Sequence, residues 1–430
     1  MAALQGIIKF EKNTGAGSGA LYIFSNCLSK GAYFLLLLYF ANALTVKDFG
    51  VLSMFNNGVL FLVPFISMGI PQSVNTAYFK KDKATFSHFF STTLMMPMMA
   101  TLLIMAVLFV FNRNLQQHYT FPTVLIAMMP LLAFFRFLNG QLLNMVRNSN
   151  NPVKYLSINA GRLLAEITLV VFLAGAMEWG WIGCIAGIFI SYLMVAVCAF
   201  FYFREEGFVV NQFNKKYLNE ELESAVPAVV MQLGIFCTGS VAVYFIEHFT
   251  QDFAQVGEFS MAAALSAAIM VLCAAMLQHS WPKLHSLLNT RNINYTTVRW
   301  HVLNYARLML LGTGVIIIAI PIVYAVMIKE QYQAGLSYYF FICLGYFFCS
   351  INFLLYAFLQ NKKERNNLLL LSMLSIIISA ISHTVLIGQW GAYGAAVSIC
   401  IAHFIALGIT ILFMQKQLIK ILSNKPDKTA

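Results

Sequence analysis

WIGCIAGIFISYLMVAVCAFFYF, residues 181–203, runs without a single Asp, Glu, Lys or Arg and ends on the charged triplet Arg204-Glu205-Glu206. At 1.5 Å rise per residue, a segment of this length crosses the ~30 Å hydrocarbon core of a bilayer as one helix. Helix is also the form it must take, because no water is present there to satisfy an exposed backbone N–H or C=O. Apolar runs of similar length fall at residues 17–42, 51–74, 88–111, 121–145, 155–177, 225–247, 256–279, 301–328, 336–360, 367–388 and 391–414. The sequence therefore predicts an all-α polytopic membrane protein of about 12 transmembrane helices.

The cations are distributed unevenly over the loops between these runs. Of 27 Lys and Arg residues, only Lys47, Arg113 and Lys329 fall in odd-numbered loops, and Lys30, Arg136, Arg162 and Arg307 fall inside spans. All the others occupy the even loops and the two tails, from Lys9 and Lys12 to Lys425 and Lys428. By the positive-inside rule both termini are cytoplasmic. With 60% apolar and 10% charged residues, the composition excludes an ordinary soluble domain. The net charge of +11 reads as this topology signature plus attraction to anionic lipid headgroups, with no nucleic-acid partner implied. Eight Cys lie in spans without CxxC or metal-ligand spacing, so they read as small buried hydrophobes and no metal or cofactor is expected. Ala41-Asn42-Ala43 mimics a signal cleavage site, but the apolar run before it is too long, and a retained first helix is expected.

Odd loops are short. The long connections, 204–224 and 280–300, are even-numbered, and the first is rich in charge (Lys215, Lys216, Glu220, Glu221, Glu223) and sits at the midpoint. It divides the chain into two six-helix lobes, 1–210 and 211–430. A weak repeat supports the division: Gly50-Val51-Leu52-Ser53-Met54 opens the second span and Gly257-Glu258-Phe259-Ser260-Met261 opens the eighth, about half the chain later. Parallel repeats of this kind suit a transporter whose path runs between halves.

Ionisable groups in a span are expensive, about 2.5 to 3.5 kcal/mol at the bilayer centre on insertion scales, and are functional candidates for that reason. Lys30 lies roughly 20 Å from the inner end of its helix, too deep to snorkel, whereas Arg136, Arg162 and Arg307 lie within about 9 to 14 Å of theirs. Glu166 follows Arg162 by four residues, in register either to balance its charge or to relay a coupling ion. The excess of cation suits an anionic cargo, since guanidinium matches phosphate oxygens in a bidentate way. Ser25, Ser29, Asn56, Asn139, Asn159 and Asn352 bind sugar hydroxyls or join helices, and the sequence does not separate the two. Glu247 and Glu258 read as solvated charge at outer span ends, and His383 and His403 as hydrogen-bonding bundle residues.

Leu44-Thr45-Val46-Lys47-Asp48-Phe49-Gly50 between the first two helices, and Ser67-Met68-Gly69-Ile70-Pro71 closing the second, resemble the pattern of Wzx-type polysaccharide flippases. The second half echoes it with Pro227, Val256-Gly257-Glu258-Phe259-Ser260 and Trp281-Pro282. The resemblance implies membership of the multidrug/oligosaccharidyl-lipid/polysaccharide exporter superfamily. It further implies a bacterial inner-membrane protein, not an enzyme, that flips undecaprenyl-pyrophosphate-linked oligosaccharide through a cationic cavity, and it leaves room for association with polysaccharide polymerase machinery. Of the candidate cations only Lys30 matches a family tendency; Arg136, Arg162 and Arg307 rest on their place in the spans. A cation-coupled drug exporter, which would favour carboxylates in the membrane, and a membrane polymerase or glycosyltransferase remain as alternatives.

Overall fold

The computed structural model describes residues 15–111, 123–210, 214–288, 295–361 and 365–423. Of the cations that set the orientation, Lys9, Lys12, Arg113, Arg291, Lys362, Lys363, Lys425 and Lys428 lie outside the described residues. The described chain is helical, in the order α1 (Gly15–Ala43), α2 (Val46–Ser67), α3 (Ile70–Lys80), α4 (Lys83–Val110), α5 (Thr123–Asn148), α6 (Pro152–Val171) and α7 (Gly180–Glu205). There follow α8 (Lys215–Gly239), α9 (Ala242–Thr250), α10 (Phe253–Ser266), α11 (Ala268–Leu288), α12 (Tyr295–Met327), α13 (Tyr339–Asn361) and α14 (Arg365–Ser423). A π-helical turn, Phe172–Ala176, extends α6, and a 3₁₀ segment, Glu330–Ser337, precedes α13.

Among the described residues, 11 helical stretches are long and apolar enough to cross a membrane, and the last of them, Asn366–Gln415, is 50 residues long. At 1.5 Å per residue that stretch would measure roughly 75 Å, far more than one bilayer. It is two spans. Gly391, with φ 57 and ψ −136, leaves the helical region and reverses the chain. His383 Nδ1 then meets Ser398 Oγ at 2.6 Å, a contact possible only if the segments on either side of Gly391 run antiparallel. Gly394 completes the turn, since a Cβ there would stand 2.0 Å from the Leu386 carbonyl oxygen. The sequence runs 367–388 and 391–414 are these two arms.

Helix ends follow local chemistry. Asp82 caps α4 by accepting from the Thr85 N–H at 3.1 Å, and the Thr85 hydroxyl together with this N–H holds its carboxyl below the usual carboxylate range. Asn151 caps α6 from the Lys154 N–H at 3.0 Å with Pro152 next in line, and Asp252 caps α10 from the Ala254 N–H at 2.8 Å. Gly69, at φ 78, turns the chain out of α2 and, with Pro71 in the first turn, starts the short α3. The Gly69-Ile70-Pro71 step is thus a helix-to-helix corner. One sequence expectation needs correction: the charged connection after residue 204 is not a linker throughout, because α8 begins at Lys215. Glu221 lies on its buried side and accepts from Ser73 Oγ at 2.7 Å, so the acidic run extends the helix that the apolar run continues.

The chain forms two compact units, Met1–Leu44 with Phe55–Val229, and Thr45–Met54 with Val230–Ala430. In the first, Asn159 Nδ2 donates to Ser25 Oγ at 2.8 Å and Ser29 Oγ at 2.7 Å, fastening α6 to α1. These polar span residues join helices. In the second unit the start of α2 crosses α10 at backbone contact. A Cβ on Gly50 would lie 2.1 Å from the Phe253 carbonyl oxygen, and one on Gly257 would lie 2.0 Å from that of Val46. The glycines that open the two repeats pack on each other's helices. Phe49 and the buried Tyr332 stack edge to face beside this crossing, and Tyr332 donates to the Thr45 carbonyl at 3.3 Å.

Candidate functional site

The charged residues buried in the first unit gather around one aromatic ring. Arg162 and Glu166, on consecutive turns of α6, are 4% and 2% exposed and form an ion pair through Nη1 and Oε2. Tyr192 of α7 lies against them, its ring centroid 4.7 Å from the Arg162 guanidinium carbon. Arg136 of α5 approaches the same ring at 5.4 Å and donates from Nη2 to Asn56 Oδ1 of α2 at 2.9 Å. Tyr33 of α1 completes the group: its hydroxyl is 3.1 Å from that of Tyr192, and its ring is 6.0 Å from Arg162. Five helices therefore deliver two guanidiniums, one carboxylate, two phenols and an amide to one place.

The balance of this group is cationic, with two guanidinium charges against one carboxylate. An aromatic face attracts a cation by its quadrupole, which lets Tyr192 sit between two like charges and spread both. The arrangement leaves donors unused. Arg136 Nε and Arg162 Nε are buried without a hydrogen-bond partner, and buried N–H groups of charged side chains are normally paired. An anion with several oxygens supplies that kind of acceptor.

Lys30 is exposed on α1, one helical turn before Tyr33 and on the same helical face. Arg307, on α12, belongs to the second unit and is also exposed. The structure thus joins Arg136, Arg162 and Glu166 directly, sets Lys30 beside their Tyr33 neighbour, and leaves Arg307 in another body. Tyr33 and Tyr192 were not read from the sequence, where a tyrosine in an apolar run looks like any aromatic. The available signal was spacing: Tyr33 follows Lys30 by three residues.

Other expectations resolve locally. Glu247 is not a solvated charge, being 3% exposed. Glu258 is half-buried and accepts from the Tyr338 hydroxyl at 3.4 Å. His383 is fully paired, to Ser398 Oγ and, from Nε2, to the Cys237 carbonyl at 3.3 Å. Asn352 has its Oδ1 buried and unpartnered and, with Thr238 and His403, lines a small pocket of about 20 Å³ in the second unit. All eight Cys are free thiols, and among the described residues no three His, Cys, Asp or Glu side chains converge as metal ligands.

The fold is shared with known transporters. An inward-facing multidrug resistance MATE family transporter of the MOP superfamily superposes with TM-score 0.72 at 13% identity, covering 92% of this chain and 96% of that one. The lipid II flippase MurJ, in an inward closed conformation, gives 0.66 at 15% identity over 93% and 87%. An outward-facing MATE transporter gives 0.60 at 14% over 95% and 97%. No curated protein matches the sequence significantly. At these identities the likeness establishes the fold, that of multi-pass membrane transporters. Family follows from sequence: residues 16–284, well over half of the chain, match the model of the polysaccharide biosynthesis protein family, and the chain belongs to that family.

Proposed function

We propose that this protein is a flippase that carries undecaprenyl-pyrophosphate-linked oligosaccharide across the bacterial inner membrane by alternating access between its halves, with both termini in the cytoplasm. The observation that carries this reading is the convergence of Arg136 and Arg162 on Tyr192, with a buried, unpartnered Nε–H on each guanidinium. In a low-dielectric site a pyrophosphate pairs those donors with charge-assisted bonds, and the planar guanidinium donates to two phosphate oxygens at once. Lys30 adds a compact charge from the same side of α1. No cofactor is needed, and association with a polysaccharide polymerase would supply the next step for the flipped lipid.

Glu166 decides between this cargo and a cationic drug. An exporter coupled to Na⁺ or a cationic drug needs a carboxylate free to bind it, and Glu166 is held by Arg162. Its role here is charge balance: it removes one of two guanidinium charges, so that an anion binds without being trapped.

The test is binding of undecaprenyl pyrophosphate to the purified protein. Losing one charge-assisted hydrogen-bonding group, at ~1.5 to 3 kcal/mol, weakens binding by roughly tenfold to a hundredfold in Arg136→Ala. Arg136→Lys falls between. Equal affinity in all three proteins overturns the assignment.

A further inference from the structure

Two buried histidines of the second unit stand in opposite conditions. His383 has both ring nitrogens paired, to Ser398 Oγ and to the Cys237 carbonyl. His403, 6% exposed, does not make the bundle hydrogen bond expected of it and has no partner among the described residues. It follows Gly391 by twelve residues on the second arm of α14. At 1.5 Å per residue that is about 18 Å along the arm, near the middle of a ~30 Å hydrocarbon core. An ionisable side chain at that depth calls for a function and a partner.

The polar atoms around His403 are mostly acceptors. It borders the pocket of about 20 Å³, room for one water molecule, together with Thr238 of α8, Asn352 and Tyr356 of α13, and Ser372 and Ser375 of the first arm of α14. Three of the lining hydroxyls have spent their protons on their own helices. Thr238 Oγ1 donates to the Gly234 carbonyl at 2.7 Å, and Ser372 and Ser375 Oγ donate to those of Leu368 and Leu371, each at 2.9 Å. What remains to them is lone pairs. Asn352 Oδ1 is a further acceptor, unpartnered, on a side chain 5% exposed. No Asp, Glu, Lys or Arg lines the pocket; the other titratable groups about His403 are Cys349 and Tyr356 of α13, with His383 on the first arm, and α8 brings none.

Oxygens with lone pairs and no proton to offer favour a positive charge. The lining selects which one. A hard alkali ion takes oxygen ligands, whereas here the lining residues hold an imidazole nitrogen and no carboxylate, and a proton goes to that nitrogen. A neutral ring would add one more lone pair to the group; a protonated ring brings N–H donors on both nitrogens. An imidazolium among apolar side chains alone would be expelled by its desolvation, and the hydroxyl and amide oxygens offset that cost.

We infer that His403 is a proton-binding site of the second unit. The imidazole takes a proton from a hydronium ion, a water molecule is released, and the imidazolium N–H groups are held by Asn352 Oδ1 and the lining hydroxyl oxygens, directly or through the one water for which the pocket has room. The inference stands apart from the cargo bound in the first unit.

Solid-state NMR of the full-length protein in lipid bilayers tests this. Ala402-His403 is the one Ala-His step in the chain, so ¹³C-alanine with ¹³C,¹⁵N-histidine singles out this ring without any substitution. The ring should be neutral at about pH 8 and doubly protonated at about pH 5, the range in which histidine ordinarily changes charge, in K⁺ and Na⁺ buffers alike. Asn352→Leu, which keeps the volume and removes the acceptor, should lower the ratio of protonated to neutral ring at the lower pH roughly tenfold to a hundredfold, the worth of one hydrogen bond to a charged group. A ring that stays neutral throughout overturns the inference, and so does protonation abolished by Na⁺ but not by K⁺, which would make the pocket an alkali-ion site. Both outcomes are read on the unsubstituted protein, whether or not Asn352→Leu folds. An unchanged ratio in a folded Asn352→Leu protein overturns the part given to Asn352.

Discussion

Removing one member of the Arg162–Glu166 pair and removing both should have opposite effects on stability. Both side chains are almost fully buried, at 4% and 2% exposure, so a single replacement strands a charge away from water. Breaking a buried pair in this way costs about 3 to 5 kcal/mol, whereas replacing both partners with apolar residues of similar volume is neutral or stabilising by about 1 to 4 kcal/mol. Arg162→Met leaves the buried Glu166 carboxylate without its ion-pair partner, and Glu166→Leu leaves two guanidiniums facing one Tyr192 ring without the carboxylate that pairs with Arg162. Thermal unfolding of the purified proteins should therefore place both single variants well below wild type and the double variant, Arg162→Met with Glu166→Leu, level with it or above. Transport should follow a different order. The double variant should be stable and inactive, because the guanidinium that meets the phosphate is gone. A double variant that transports at the wild-type rate would refute the anion-site reasoning and reduce the pair to a structural feature. Single variants that unfold with wild type would refute the burial argument itself.

Lys30→Ala should leave the protein abundant in the membrane, since Lys30 is exposed, while surface polysaccharide is lost, and Lys30→Arg should retain part of the activity; immunoblotting with polysaccharide staining reads both, and disappearance of the protein would mark a structural role. Gly50→Val or Gly257→Val should force α2 and α10 apart, because each added Cβ meets a backbone oxygen at 2.1 or 2.0 Å, and should lower the unfolding temperature by an amount equivalent to about 1 to 3 kcal/mol of overpacking. A reporter fused after Lys428 should behave as cytoplasmic; an external signal would overturn the cation count.

The spans were legible because the bilayer imposes a length and a composition that few other environments require. That held even for the last helix, where the sequence shows two apolar runs and the backbone departs from helix at Gly391 alone. The Arg162–Glu166 pair was equally legible, being set by local spacing. What the sequence did not disclose depends on helices far apart in the chain. Tyr192 and Tyr33 become site residues only once α7 and α1 bring them to Arg136 and Arg162. Polar span residues behaved likewise: Asn56 reaches a guanidinium, whereas Asn159 binds α1, and the two look alike in sequence. Glu247 was misjudged as solvated because its burial comes from tertiary packing, not from its neighbours in the chain.

Transport by the purified protein in proteoliposomes distinguishes an anionic lipid cargo from a cationic drug. A fluorescent undecaprenyl-pyrophosphate oligosaccharide is placed in one leaflet, and its arrival in the other is followed by quenching from outside, with a fluorescent cationic drug as a parallel cargo. The lipid-linked oligosaccharide should cross, Arg136→Ala and Lys30→Ala should slow it, and the drug should not move. Export of the drug with the lipid-linked oligosaccharide stationary would contradict the flippase reading.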